Sequence, residues 1–318
     1  MNLPNFLIIG AQKSGTSALN YYLSKHPQVY MSPLKEPGFF RFEGEQIDFC
    51  GPGDKKYYRG RPTSIEAYKK LFQGVSDQVA VGEASTWYLP STKVPQRIYS
   101  YIPHVKLIAI LRNPIDRAYS AYVHARREAR EPLDSFVKAL HQENNRIQSN
   151  WGYLWRYRQM GLYGDQLERY YQQFDRSQIR VYLYEDLNYR PLELLRDLFL
   201  FLKIDESFTP DLTIRRNVSG MPKSRALHVF LSQKNPVKNL LKPLLPTQFR
   251  ERLVSKLTIR NLKKKEPLPI ETRQEVAEIF KADIIKLQNI LQRDLSHWLD
   301  MSPSQYNQST ILGDEKAS

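Results

Sequence analysis

This chain is poor in cysteine, long apolar runs and acidic residues, and each shortage excludes something. Cys50 is the only cysteine, so neither an intrachain disulfide nor a thiolate-based zinc centre is available to it. The apolar runs fall well short of the roughly 20 residues that a membrane-spanning helix needs. No basic segment with an apolar core of the secretory kind precedes the first apolar run, Phe6 to Ile9. A cytoplasmic, reducing location is therefore expected. On that expectation, Asn217-Val218-Ser219 and Asn307-Gln308-Ser309 are chance matches to the glycosylation pattern. No internal repeat is present, which argues against a solenoid. Acids number 33 against 47 bases, a net charge of +14, so partners are expected to be anionic: nucleotides, nucleic acid, acidic glycans or a membrane surface.

A hydrophobic content of 41% in 318 residues is enough for one large α/β domain or two small ones. The most informative stretch comes first. Phe6 to Ile9 reads as a short buried strand, Gly10 to Gly15 as a small polar loop, and the run from Ala18 through Leu23 as a helix. Strand, glycine-containing loop and helix make an anion cradle, in which backbone N–H groups and a helix N-terminus face a phosphate-like group. Lys13 adds a mobile charge, and Thr16 and Ser17 add hydroxyls. A Walker A loop has its lysine directly after the second glycine. Here Lys13 lies two residues before Gly15, and Thr16 stands where that lysine belongs. The stretch favours binding of phosphate or sulfate without an obligatory metal; a plain structural junction with a solvated Lys13 is the alternative.

Further along, Ser32 to Phe40 is a Pro- and Gly-rich loop carrying Lys35, and Arg41 to Pro62 reads as an irregular surface excursion of the kind that forms substrate lids. Ser64 to Phe72 reads as a short capped helix. Val79 to Thr86 is a second buried strand, and it places Glu83 near a strand end, where α/β sheets put their sites. Glu83 is thus a candidate general base, with an ion-paired or capping carboxylate as the alternative. The clearest strand, Val105 to Leu111, runs into Arg112-Asn113-Pro114, where Pro114 opens a helix bearing Arg117, Ser120 and His124. A guanidinium fork with a hydroxyl suits a second phosphate. Lys13 and Arg112 together imply a ligand with two separated anionic groups.

Leu133 to Gln148 reads as one polar helix, Gly161 to Phe174 as an amphipathic one, Ile179 to Tyr184 as a strand ending at Glu185-Asp186, and Pro191 to Leu202 as an apolar-faced helix. From 234 to 265 there are ten Lys or Arg against one acid, Glu251: a solvated basic face, or a surface for an acidic acceptor or a membrane. Ile270 to Leu291 reads as a long helix backed by Trp298. Residues 1–300 are expected to form a single domain, and 301–318 a disordered tail.

These motifs, in this order, resemble the PAPS-dependent sulfotransferase family, and within it the heparan-sulfate branch with its bacterial relatives. Ile9-Gly10-Ala11-Gln12-Lys13-Ser14-Gly15-Thr16 is similar to the family's 5′-phosphosulfate loop, and Leu111-Arg112-Asn113-Pro114 through Arg117-Ala118-Tyr119-Ser120 to its 3′-phosphate motif. Lys35-Glu36-Pro37-Gly38-Phe39-Phe40, Gly82-Glu83, Tyr184-Glu185-Asp186-Leu187 and the basic loop Pro222-Lys223-Ser224-Arg225 complete the likeness, which spans roughly residues 5 to 300. The resemblance implies a P-loop-like three-layer α/β fold with a central parallel sheet flanked by helices. It also implies in-line transfer of a sulfuryl group from 3′-phosphoadenylyl sulfate (PAPS), leaving PAP, to a hydroxyl or amine of a glycan, lipid or small metabolite, without a metal. Glu83 is then the general base, with His124 as the alternative base. Lys13, Lys35, the loop amides from Gly10, Gln12 and Ser14 to Ser17, and Thr16 stabilise the leaving group. Arg112 and Ser120 anchor the 3′-phosphate, and Lys223, Ser224 and Arg225 close over the nucleotide. No nucleic-acid partner is expected, and the segment 234–265 is a candidate for peripheral membrane contact. Two other readings compete: a P-loop kinase transferring phosphoryl, which requires Mg²⁺, and a non-catalytic polyanion binder, which requires steeply salt-dependent affinity.

Overall fold

A computed structural model describes residues 3–212, 220–222, 262–264 and 266–300 of the chain. Lys223, Ser224 and Arg225, most of the basic segment 234–265 and the tail 301–318 lie outside the described residues.

Five parallel strands form the central sheet: β1 (Phe6–Gly10), β2 (Val29–Met31), β3 (Ala80–Ala84), β4 (Lys106–Leu111) and β5 (Ile179–Leu183), in the order β2-β3-β1-β4-β5. Alternation along the strands sorts their side chains into two layers. Leu7, Ile9, Leu107, Ala109 and Leu111 face one apolar cluster, while Phe6, Ile8, Ile108 and Ile110 face another. Helices cover both faces, which is why these strands read as nearly continuous apolar runs. On the first face lie α5 (Val94–Tyr101), α6 (Pro114–Arg127), α9 (Tyr163–Gln173) and α12 (Ile270–Leu291); on the second lie α1 (Thr16–Leu23), α10 (Tyr184–Tyr189) and α11 (Pro191–Leu202). The expected three-layer α/β fold is the one found.

Where β1 meets β3, the two sheet partners Phe6 and Gly82 allow no extra atom: a Cβ on Gly82 would stand 2.3 Å from Cζ of the Phe6 ring. Gly82→Ala is therefore expected to cost about 2 kcal/mol or more through overpacking, read as a fall in the thermal midpoint with PAP binding retained by the folded fraction.

Three regions differ from the sequence expectation. The excursion after Phe40 is anchored. It contains α2 (Phe39–Phe42) and α3 (Asp54–Tyr57), and Phe42 and Tyr58 are buried in an aromatic cluster with Trp87 and Tyr153. The next helix, α4 (Ile65–Lys69), is capped by Ser64 as expected, its hydroxyl accepting from the Ala67 amide at 3.2 Å. The stretch 133–148 holds two helices, α7 (Phe136–His141) and α8 (Glu143–Gln148), rather than one. Tertiary bonds hold the second: the Glu143 carboxylate accepts from the Arg158 and Gln159 amides, and Arg146 makes a bidentate pair with buried Glu131 at 2.7 and 2.8 Å. Third, the chain turns into α10 directly after β5. There Asp186 caps the turn by accepting from the Leu183 amide, and it is paired with Arg293, while Glu185 accepts from the Trp298 indole. That motif therefore ties the sheet to the far end of the chain.

α12 closes the first layer. Its Asp283 accepts from the amides of Gly164 and Asp165, at 2.9 and 3.0 Å, capping α9 from outside. A short antiparallel pair, β6 (Gly220–Pro222) with β7 (Leu262–Lys264), lies beside α6. Among the described residues no helix is long and apolar enough to cross a membrane.

Candidate active site

The chain leaves β1 for one edge of the sheet, β2, and later crosses from β3 over β1 to β4. The crevice at such a reversal, beyond the carboxyl ends of the strands, is where open α/β sheets bind ligands. The segments that follow β1, β2, β3 and β4 each deliver a candidate residue.

The loop after β1 is built for close approach. Gly15 caps α1 at φ 101°, a conformation that suits glycine, and no side chain caps the helix or brings an acid into its first turn. The first amides of α1, with the dipole behind them, are thus left to an anionic ligand. Gln12 is 8% exposed, and its Oε1 has no hydrogen-bond partner, a second polar group turned to this loop without company. Lys13 takes φ 65°. Burial first, then the charges of Arg127, Arg112 and Lys35, push its ammonium down to about 8. The Glu128 carboxylate pulls the other way more weakly, so the loop presents a positive potential that suits an anion.

Arg112, at the end of β4, reaches back to the same loop, donating to the Lys13 carbonyl at 3.5 Å while its guanidinium lies 4.6 Å from the centre of the Tyr184 ring. Ser120 is buried on α6, just over two turns beyond Arg112 in the chain. β6, which leads into Lys223, lies against this helix.

The loop after β2 brings the remaining groups. Lys35 donates through Nζ to the Ser17 hydroxyl, and Arg61 donates to the Lys35 carbonyl at 2.5 Å. Next to it, Glu36 stands at φ 56°, its amide bonded to the Ala84 carbonyl at 3.1 Å. One carboxylate oxygen accepts from both the Thr86 amide, at 2.7 Å, and the Thr86 hydroxyl, at 3.1 Å. Burial pushes the Glu36 carboxyl up from the usual range, and the Thr86 bonds together with Lys35 and Arg61 pull the other way. Beside Arg61 opens a cavity of about 300 Å³, lined by Phe49 and Tyr58 among apolar groups and by Lys55, Arg59 and Gln46 among polar ones.

Two expected bases fare differently. Glu83 is fully buried within β3, not at its end. Its carboxylate takes the hydroxyl protons of Tyr88 at 2.5 Å, Ser85 at 2.8 Å and Tyr68 at 3.2 Å. A base must touch the proton it removes, and Glu83 has no surface to offer an acceptor. That enclosure weighs against the expectation that Glu83 is the base. His124 does face the cationic group, its Nδ1 bonded to the Arg127 guanidinium at 2.9 Å. Burial, followed by Lys13, Arg127, Arg130 and Lys35, pushes its imidazole down to about 3, so it is a weak base in this setting. Sequence reasoning passed over Glu36 although it lies in a quoted motif, and missed Arg61, Thr86 and Arg127. The one available signal was an acid between a loop lysine and a Pro-Gly turn.

Comparison with known proteins gives this arrangement a family. The family model "Sulfotransferase domain" matches residues 3–223. A crystal structure of a sulfotransferase from Alicyclobacillus acidocaldarius shares 34% identity at a TM-score of 0.73, covering 94% of this chain and all of that one. The "Membrane-associated sulfotransferase kil1" of Dictyostelium discoideum is 33% identical over 155 residues, 46% of this chain and 29% of that protein. The "Bifunctional heparan sulfate N-deacetylase/N-sulfotransferase 2" of Homo sapiens is 39% identical over 126 residues, 39% of this chain and 13% of that protein. The chain thus spans less than a third of the length of these curated relatives. With its strand-end cradle, its lysine placed ahead of the second glycine and a family model matched from residue 3 to residue 223, the chain belongs to the sulfotransferase family.

Proposed function

We propose that this chain moves a sulfuryl group from PAPS to a hydroxyl or amine, with Glu36 as the general base. The observation that carries the reading is the Glu36 carboxylate itself, held by Thr86 and acted on by the charges of Lys35 and Arg61, of which Arg61 also lines the cavity. When bound, PAPS supplies an activated sulfuryl group on a good leaving phosphate. Glu36 takes the acceptor proton as the acceptor atom bonds to sulfur and the bond from sulfur to the bridging phosphate oxygen breaks. Lys13, the α1 amides from Gly15 to Ser17 and the Thr16 hydroxyl stabilise the charge left on that oxygen, and Lys35 steadies the group in transit. Arg112 and Ser120 hold the 3′-phosphate, and Lys223, Ser224 and Arg225 close over the nucleotide. Among acceptors we favour an anionic glycan. The support is the net charge of +14, the Lys55, Arg59 and Arg61 rim of the cavity, and the heparan sulfate in the names of several relatives. We further infer one sulfotransferase domain over 1–300 in a cytoplasmic setting, the lone Cys50 being its support. The assay that tests the function is transfer from labelled PAPS across a panel of glycan, phenol and lipid acceptors; no transfer to any of them, together with no PAP binding, would refute it.

Lys13 supplies a pH test. An anion bound beside it favours its charged form, so its pKa rises above about 8 on binding. As pH rises through about 8 the free protein loses the charge on Lys13 while the complex keeps it. PAP binding is therefore expected to take up a proton there, and affinity to fall as pH rises through this window. Calorimetry at pH 8.5 in buffers of different ionisation enthalpy measures the uptake, which Lys13→Met should abolish.

A further inference from the structure

Glu83 is a buried carboxylate that the mechanism above does not use, yet it holds three hydroxyl protons. Two of those hydroxyls have a second task. The Ser85 oxygen accepts from the Gly38 amide at 2.9 Å, and the Tyr88 oxygen accepts from the Phe40 amide at 3.4 Å. Gly38 and Phe40 belong to the turn that directly follows Glu36. Glu36 itself is held from the same strand end, by the Ala84 carbonyl and by Thr86. The end of β3 and the turn after it, through Ala84, Ser85, Thr86 and Tyr88, are thus a template against which the loop of the base is laid.

We propose that Glu83 is a positioning residue for Glu36: by taking the Ser85 and Tyr88 protons it commits both oxygens to accept the Gly38 and Phe40 amides, and so fixes the loop that carries the base. This rests on Glu36 being the base. The reason is directional. Burial pushes the Glu83 carboxyl up to about 7; above that pH it is a carboxylate that only accepts, so each hydroxyl beside it donates to it and is left with lone pairs alone for a second neighbour. An N–H is the one backbone group those lone pairs can receive. A carboxamide at position 83 breaks the pattern: its NH₂ would donate toward Ser85, whose own proton would then compete with the Gly38 N–H. No volume is lost, only the sense of the hydrogen bonds. The room for adjustment is small, because Gly38 sits at φ 69° and a Cβ there would stand 2.7 Å from the Trp87 ring. Displacement of a base by a fraction of an ångström up to about 1 Å costs turnover without touching the donor site, where Lys13 and Arg112 act.

The test is Glu83→Gln, Ser85→Ala and Glu36→Gln, singly, with the double variant Glu83→Gln/Glu36→Gln. PAP affinity is read by calorimetry and turnover by labelled transfer. Glu83→Gln is expected to lower kcat about tenfold or more with PAP affinity within about twofold, and Ser85→Ala to reproduce most of that loss. The double variant is expected to be no slower than Glu36→Gln alone, since a residue that acts only through Glu36 has nothing left to position. Wild-type kcat in Glu83→Gln overturns the proposal. So does a double variant clearly slower than Glu36→Gln, or wild-type kcat in Ser85→Ala beside an inactive Glu83→Gln, which would make Glu83 act by another route. If Glu83→Gln fails to bind PAP, Ser85→Ala decides alone. Wild-type kcat in Glu36→Gln with slow Glu83→Gln and Ser85→Ala would refute the choice of base while leaving the loop's dependence on Glu83 standing.

Discussion

Glu36→Gln is expected to lower kcat by about a thousandfold while PAP binds with wild-type affinity. Glutamine keeps the shape and accepts the Thr86 amide through its carbonyl oxygen, so the loop stays pinned and only the ability to take a proton is lost. The Glu36 carboxylate takes its hydrogen bonds from the two Thr86 donors, not from Lys13 or Arg112. The measurement is single-turnover transfer beside PAP calorimetry on the same preparation. Since burial raises the Glu36 carboxyl, the acid limb of the wild-type kcat profile should lie above the ordinary glutamate range and vanish in the variant. A variant with wild-type kcat would rule Glu36 out as the base.

Lys13→Ala is the second large effect, and it should strike both binding and chemistry. Lys13 belongs to the loop itself, and burial together with the neighbouring Arg127, Arg112 and Lys35 lowers its pKa. Its removal is expected to reduce kcat by about a hundredfold or more, as loss of a charge-stabilising donor does elsewhere. PAP affinity should fall as well, by about tenfold. Arg112→Ala should mainly weaken PAP, by roughly ten- to a hundredfold, the cost of one charged hydrogen-bonding group. Some of that loss comes from the loop, because Arg112 also holds the Lys13 carbonyl. Calorimetry showing both variants at wild-type PAP affinity would remove the nucleotide from this crevice.

How far these sites could be read from sequence depended on whether their signals were local. The β1 loop and the Arg112-Asn113-Pro114 junction are local, with strand, breaker and helix adjacent in the chain, and both fold as read. Glu83 shows the limit. Its place near a strand end was legible, but its direction followed from parity: Val81 and Glu83 share a face, and Val81 points into the first apolar layer. Period-two bookkeeping would have put Glu83 in that layer too. Glu36 was not legible as a base, because its holders Ala84 and Thr86 are about fifty residues away in sequence. The excursion after Phe40 looked loose because its Gly and charge content is local, while the partners of Phe42 and Tyr58, Trp87 and Tyr153, are remote. The break between α7 and α8 has no Gly or Pro to announce it; it comes from Glu143 bonding the amides of Arg158 and Gln159.

The parallel pairing of β2 with β3 has a consequence for how such an enzyme diversifies. Glu36 follows β2, and the groups that hold it lie at the end of β3 and just beyond; the two strands are joined in space at Met31 and Gly82 and in sequence only by the long crossover between them. The cavity beside Arg61 is lined entirely by that crossover. If Glu36 is the base and this cavity takes the acceptor, proton removal and acceptor choice fall to different segments of one polypeptide. A lineage can rewrite the cavity residues other than Arg61, which holds the Lys35 carbonyl, to meet a new acceptor while keeping the bonds that hold Glu36.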